Sequence, residues 1–225
     1  MTVASLAPSE LVILPLSAAM KQGSANEHEQ AEQSAFMDAL LGGRVSKAGY
    51  LAYLRTLRPV YAALESVGRD LAADPIVAPI FDAGLDRLAS IDADLEQWAP
   101  GEDQSIESPA ADAYAAAITE SASWPGLYVA HHYTRYLGDL SGGQAVGALV
   151  NRAFDLDGKG LDFYDFAEIG KNKPYKDDYR TNLDAIGAEL SETDRLRVVD
   201  EVCKAFQLNQ GLFAELAGKL ELPAN

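Results

Sequence analysis

The stretch Tyr133 to Gln144, YTRYLGDLSGGQ, restricts this chain more than any other. Gly138, Gly142 and Gly143 crowd into a segment whose flanks have the spacing of a long helix. Each glycine in a helix interior costs about 1 kcal/mol relative to alanine. A helix keeps such residues where its backbone bends, or where something large must lie on it with no Cβ between. The alternative is a plain loop joining two helices. Asp139 and Ser141 stand among the glycines, and Tyr133, Arg135 and Tyr136 lie one or two turns before them.

The rest of the chain favours helices. With 225 residues, 48% of them hydrophobic, it can bury one core, and one domain is expected over residues 17–225 behind an extended leader at 1–16. The apolar LVILPLSAAM in that region lacks a basic start and contains a proline, so it reads as leader rather than signal peptide. No tail anchor is expected at the end, ELPAN. The single cysteine, Cys203, excludes a disulfide framework and a thiolate cluster and fits a cytoplasmic protein. A net charge of −16 argues against nucleic acid and anionic membranes as partners.

In order, Ser17 caps an expected first helix over 18–33, and a short one over 36–41 closes at Gly42-Gly43. Ser46 opens a long helix in which Tyr50, Leu54, Leu57, Tyr61, Leu64, Val67 and Leu71 step by three and four, with Pro59 expected to kink it. A further helix is expected from Asp82 to Trp98. Ser108-Pro109 starts an alanine-rich one, and Trp124-Pro125 leads into the glycine segment and on to Phe154. Residues 155–173 read as irregular, plugged down by Phe163, Tyr164 and Phe166. Pro174 begins a helix to about Ile186. Ser191 with Asp194 resembles a capping box before a final helix carrying Leu196, Val199, Val202, Phe206, Phe213, Leu216 and Leu220. No alternating strand pattern occurs, so the expected class is all-α.

Three histidines bound the metal chemistry. His28 has Glu32 one turn on, where a carboxylate can orient a ligating imidazole; an ordinary surface pair is the plainer reading. His131 and His132 are adjacent and cannot face one site. HEQAE puts Glu32 where a zinc protease needs its second histidine, and no Glu precedes any histidine by three as in di-iron bundles. One lone nitrogen ligand suits a cofactor bringing its own equatorial donors, and haem is such a group. Its propionates need cations. Lys176 and Arg180 share one face, unless they only pair with Asp177 and Asp178, and Lys21 lies seven residues before His28.

With these residues assembled, from about Lys21 to Leu220, the chain resembles the soluble bacterial haem oxygenases. The most specific block is YTRYLGDLSGGQ, and His28, Lys176/Arg180, Phe206 and Asn209 follow in the family's order. The resemblance implies haem held between a proximal helix and a kinked distal helix. It makes His28 the iron ligand with Glu32 behind it, and Gly138, Gly142 and Gly143 the distal wall. Asp139 would anchor a water network supported by Tyr61, Arg135 and Tyr136, while Lys21, Tyr133, Lys176 and Arg180 would meet the propionates. The implied reaction is O2-dependent cleavage of haem to biliverdin, iron and carbon monoxide, at the α-meso carbon. Electrons would come from a ferredoxin or flavoprotein reductase, docking on a basic face drawn from Lys171, Lys173, Lys176, Arg44, Lys47, Arg55 or Arg58. The competing expectations are a haem-storage protein without turnover and a helical module without cofactor. A thiaminase-like enzyme would need a nucleophilic cysteine, and Cys203 is poorly placed for that.

Overall fold

The computed structural model describes residues 6–219, and no strand occurs among them. Pro8–Leu11 (α1) is a single turn inside the expected leader, with Leu11 buried. The first expected helix is instead two, Leu16–Gly23 (α2) and Ala25–Glu32 (α3), broken at Ser24 (φ −106°, ψ 12°). Pro15, not Ser17, takes the cap position; the Ser17 amide donates to Asp184 Oδ1 at 2.8 Å, a contact from 167 residues away. Lys21 and His28 therefore lie on different helices. Ala35–Leu41 (α4) is capped by Ser34, and the chain turns at Gly43 with φ 65°.

Lys47–Leu71 (α5) is the central helix, with Ser46 accepting from the Gly49 amide and Pro59 inside an uninterrupted span. Leu88–Trp98 (α6) begins later than expected, because Asp82 caps only a short 3-10 turn, Ala83–Leu85. Its true start is set from outside: Glu65 Oε1 on α5 accepts the Arg87 and Leu88 amides at 2.7 and 2.6 Å. Pro109–Ser121 (α7) and Pro125–His132 (α8) open at their prolines. Two π-wound turns, Tyr133–Leu137 and Asp139–Gly143, join α8 to Gln144–Phe154 (α9).

Residues 155–171 form a strap without long helices, because the next helix opens at Asn172, two residues before the expected Pro174. Asp94 of α6, fully buried, accepts the amides of Asp162 and Phe163 at 2.8 and 2.9 Å, and Trp98 donates to the Gly160 carbonyl. Arg87 covers the Phe166 ring at 4.0 Å. Phe163, Tyr164 and Phe166 are all buried, as their pattern predicts. Asn172–Glu189 (α10) and Glu192–Lys219 (α11) complete the chain, with Ser191 and Asp194 bonded across the start of α11. Leu220 falls outside the described residues. The core lies where α5 packs against α6 and α7 while α11 crosses α8, α3, α2, α4 and α7. No helix among the described residues is long and apolar enough to cross a membrane.

Candidate active site

The glycine segment stays helical but is wound with the wider π repeat, a form that frequently marks functional positions. The loop alternative is thereby excluded. Winding places Arg135 and Asp139 on the buried face. Gly138 and Gly142 lie on the exposed side, where a Cβ at either would meet nothing within 4 Å. At Gly143 a Cβ would touch only Tyr164, at 3.5 Å, and Asp139.

Beneath them a closed polar network forms. Tyr61 of α5 donates its hydroxyl proton to Asp139 Oδ2. Arg135 donates to Tyr61 Oη at 2.8 and 3.2 Å, to Asn209 Oδ1 of α11 at 2.7 Å and to Asp139 Oδ1 at 3.5 Å. Burial raises the Asp139 carboxyl above the ordinary carboxylate value, while Arg135 and the Tyr61 hydroxyl pull it down. The guanidinium itself is buried and held charged by facing phenols and the carboxylate. Tyr136 is buried against Tyr61, 6.1 Å between ring centroids, and makes no recorded hydrogen bond to Asp139. Its support of the carboxylate is packing rather than bonding.

His28 lies on the exposed side of α3. Its Nδ1 is 3.5 Å from Glu32 Oε2, and its ring stands edge-on to Phe206 of α11 at 5.3 Å. Its Nε2 meets no hydrogen-bond partner among the described residues, so the ring is oriented and keeps one nitrogen available. No group of three or more metal-ligating side chains occurs among those residues.

Of the proposed clamp, Lys176 reaches the π segment: its Nζ donates to Leu140 O at 3.3 Å and Ser141 Oγ at 3.2 Å. Arg180 pairs with Asp177 at 3.1 Å, as does Lys173, so the plain pairing expectation holds for Arg180 and fails for Lys176. The Tyr133 phenol is pushed up to about 12 by burial, with Arg180 near enough to oppose that shift. Lys21 is exposed on α2 and joins none of these contacts. The suggested basic docking face is largely neutralised, since Arg44, Arg55 and Arg58 pair with Asp38, Glu102 and Asp92. Burial pushes the Cys203 thiol up to about 12, and it donates to the Gly23 carbonyl, which removes it as a nucleophile.

Two groups and one contact escaped the sequence reading. Tyr53 and Tyr114 also face Arg135, and fully buried His131 holds Glu201 at 2.9 Å. Tyr53 sits eight residues before Tyr61 on one helix, which is a usable signal. Nothing local marks Tyr114.

A planar cofactor matches this arrangement. Open backbone at Gly138 and Gly142, an imidazole on α3 held by Glu32 and Phe206, and a lysine reaching the π segment are the features such a group needs. A family model described as Heme oxygenase matches residues 14–215. The chain is 38% identical over 205 residues to "Heme oxygenase 1" of Nostoc sp., covering 89% of this chain and 85% of that protein. It is 36% identical to human "Heme oxygenase 1", covering 89% and 71%. Its structure superposes on heme oxygenase-1 of Synechocystis sp. in complex with heme with a TM-score of 0.86 at 33% identity, covering 91% and 93%.

Proposed function

This chain belongs to the haem oxygenase family, whose members degrade haem, and we propose that it cleaves haem with O2 to biliverdin, Fe2+ and carbon monoxide. The observation that carries this is the Tyr61–Asp139–Arg135–Asn209 network set directly behind two glycines whose outward side is open. The relative of known structure in complex with heme supports the same guest here. Haem supplies both the iron that takes oxygen and the ring carbon that is cut.

The chain's own residues then divide the work. His28 binds the iron through Nε2, and Glu32 fixes its ring. Gly138, Gly142 and Gly143 let the porphyrin plane approach main chain. Lys176, Arg180 and Tyr133, with Lys21 at the margin, orient the propionates and so select the edge presented for cleavage, which we assign to the α-meso carbon. Asp139 holds a water and passes protons to bound oxygen. Its raised carboxyl pKa brings proton transfer nearer to working pH, and Arg135 with Tyr61 keeps it in one geometry. Phe206 backs the His28 ring, and Asn209 fixes Arg135. Electrons come from a ferredoxin or flavoprotein reductase, and the reaction belongs in the cytoplasm.

Haemin titration followed by reductase, reductant and air tests the reading. A Soret band that decays to bilin, resolved chromatographically as the α isomer, is the expected result. A band that survives repeated reduction in air would replace turnover by storage, and no band at all would remove haem binding.

A further inference from the structure

Beyond the network that serves Asp139, the same helix carries a second buried set of rings. The Tyr61 and Tyr136 centroids are 6.1 Å apart, those of Tyr136 and His132 4.6 Å, and those of His132 and Tyr179 5.7 Å. His132 and Tyr179 lie parallel within 5°, and His132 Nδ1 is 2.7 Å from the Tyr179 hydroxyl oxygen. Both residues are almost fully buried. Tyr179 has no other hydrogen-bond partner among the described residues, so its phenol proton points at Nδ1; the opposite tautomer would strand that proton in the core. Nδ1 is therefore the acceptor. Burial also holds His132 neutral, with its pKa lowered to about 3.

We propose that Tyr179 and His132 form a redox-active pair, a tyrosine that yields an electron and a histidine that takes its proton, joined to the distal side through Tyr136 and Tyr61. The oxidant is hydrogen peroxide acting at bound haem. Reducing its O–O bond to two waters, without ring opening, takes two electrons and two protons. Tyr179 supplies one electron, the external reductant supplies the other, and the two protons come from solvent. The phenol O–H bond breaks and an N–H bond forms at Nδ1, giving a neutral tyrosyl radical and an imidazolium. A phenol stripped of an electron is a far stronger acid than even a buried imidazolium, so the proton moves to His132. The reductant that feeds turnover returns the electron, and the proton goes back to the phenolate oxygen. The pair thus draws oxidising equivalents away from the site during unproductive cycles, a role separate from ring cleavage though dependent on the haem binding proposed above.

Freeze-quench electron paramagnetic resonance on the ferric haem complex mixed with hydrogen peroxide provides the test. A tyrosyl signal is expected, most of it lost in Tyr179→Phe, with bilin yield under reductase unchanged. A nitroso spin trap followed by peptide mass spectrometry should place the adduct at Tyr179 in the natural chain. No tyrosyl signal, an undiminished signal in Tyr179→Phe, or an adduct confined to other tyrosines overturns the proposal. Nitrogen-15 NMR of the histidines tests the pair without haem: Nδ1 of His132 should be unprotonated at neutral pH, and a proton there overturns the assignment. A missing Soret band on adding haemin would count against haem binding instead, while the NMR result would still decide the pair's proton arrangement.

Discussion

The two faces proposed to enclose haem are built on opposite terms. On the distal face, Arg135 and Asp139 keep only 7% and 11% of their side-chain surface and are tied into α5 and α11 by hydrogen bonds spanning 74 to 78 residues. On the proximal face, His28 and Glu32 keep 52% and 67%, and one 3.5 Å contact and one ring edge hold the imidazole. The distal geometry is fixed by folding and the proximal geometry is left for the guest to complete. Catalytic electrostatics needs dipoles set before the reaction begins, whereas a metal ligand can be drawn into place by the bond it forms.

The contrast can be broken most directly at Asp139. Asp139→Ala should retain haem yet lower bilin yield by about 10²-fold or more, the usual weight of a positioned proton donor. Undiminished yield would show that the carboxyl is not part of proton delivery. Asp139→Ala also strands the buried Arg135 charge, which predicts a loss of about 3–5 kcal/mol in urea denaturation. His28→Ala should change stability by no more than about 0.5 kcal/mol, because the side chain is exposed, while the haem spectrum loses its imidazole character. Equal destabilisation by both would erase the asymmetry.

The distal lining depends in turn on the strap that carries Phe163, packed on Tyr61 at 5.5 Å and anchored through its amide by Asp94. Burial pushes the Asp94 carboxyl up to about 6, against the lowering effect of its two amide donors. The folded protein therefore holds more protons than the unfolded chain between about pH 4 and 6, so the Asp94 contribution to stability falls as pH rises through that window and is flat above it. The full swing is about 2–3 kcal/mol. Asp94→Asn should flatten the profile by that amount, and an identical slope in both proteins would refute the assignment. Gly142→Ala acts in the opposite direction. With open space at the Cβ position, the free protein should gain up to about 1 kcal/mol in helix stability while its affinity for haemin falls. Tighter haemin binding would mean that the porphyrin lies elsewhere.

What could be read from the sequence was what is decided locally. Ser46, Ser108 and the prolines at 109 and 125 mark helix starts, because a cap acts within three residues. The start of α2 at Pro15 rather than Ser17 and the late start of α6 were not legible, since Asp184 and Glu65 impose contacts from elsewhere in the chain. The same division runs through the site. Arg135 with Asp139 is an i, i+4 pair visible on one helix, but only the resemblance to a family brought Tyr61 and Asn209 to it. The π winding left only its glycines as a trace. Ring stacking of His132 on Tyr179 left none, because it joins α8 to α10 across 47 residues.

A last consequence follows from how the glycine segment is supported. A Cβ at Gly147 would fall 2.9 Å from the Tyr164 ring, and Gln144 donates to the Tyr164 carbonyl at 2.6 Å, so the later half of the rod is bolted down. Around Gly138 and Gly142 no side chain packs where a Cβ would stand, and the span is held by polar contacts instead, Arg135 and Asp139 from beneath and Lys176 on Leu140 and Ser141. The roof over the proposed site thus rests on two unlike supports: hydrogen bonds at its earlier half, and at its later half the Tyr164 ring, whose hydroxyl lies 3.4 Å from that of Tyr50. A substitution at Tyr164 would loosen only the later half, while the earlier half would keep its polar tethers.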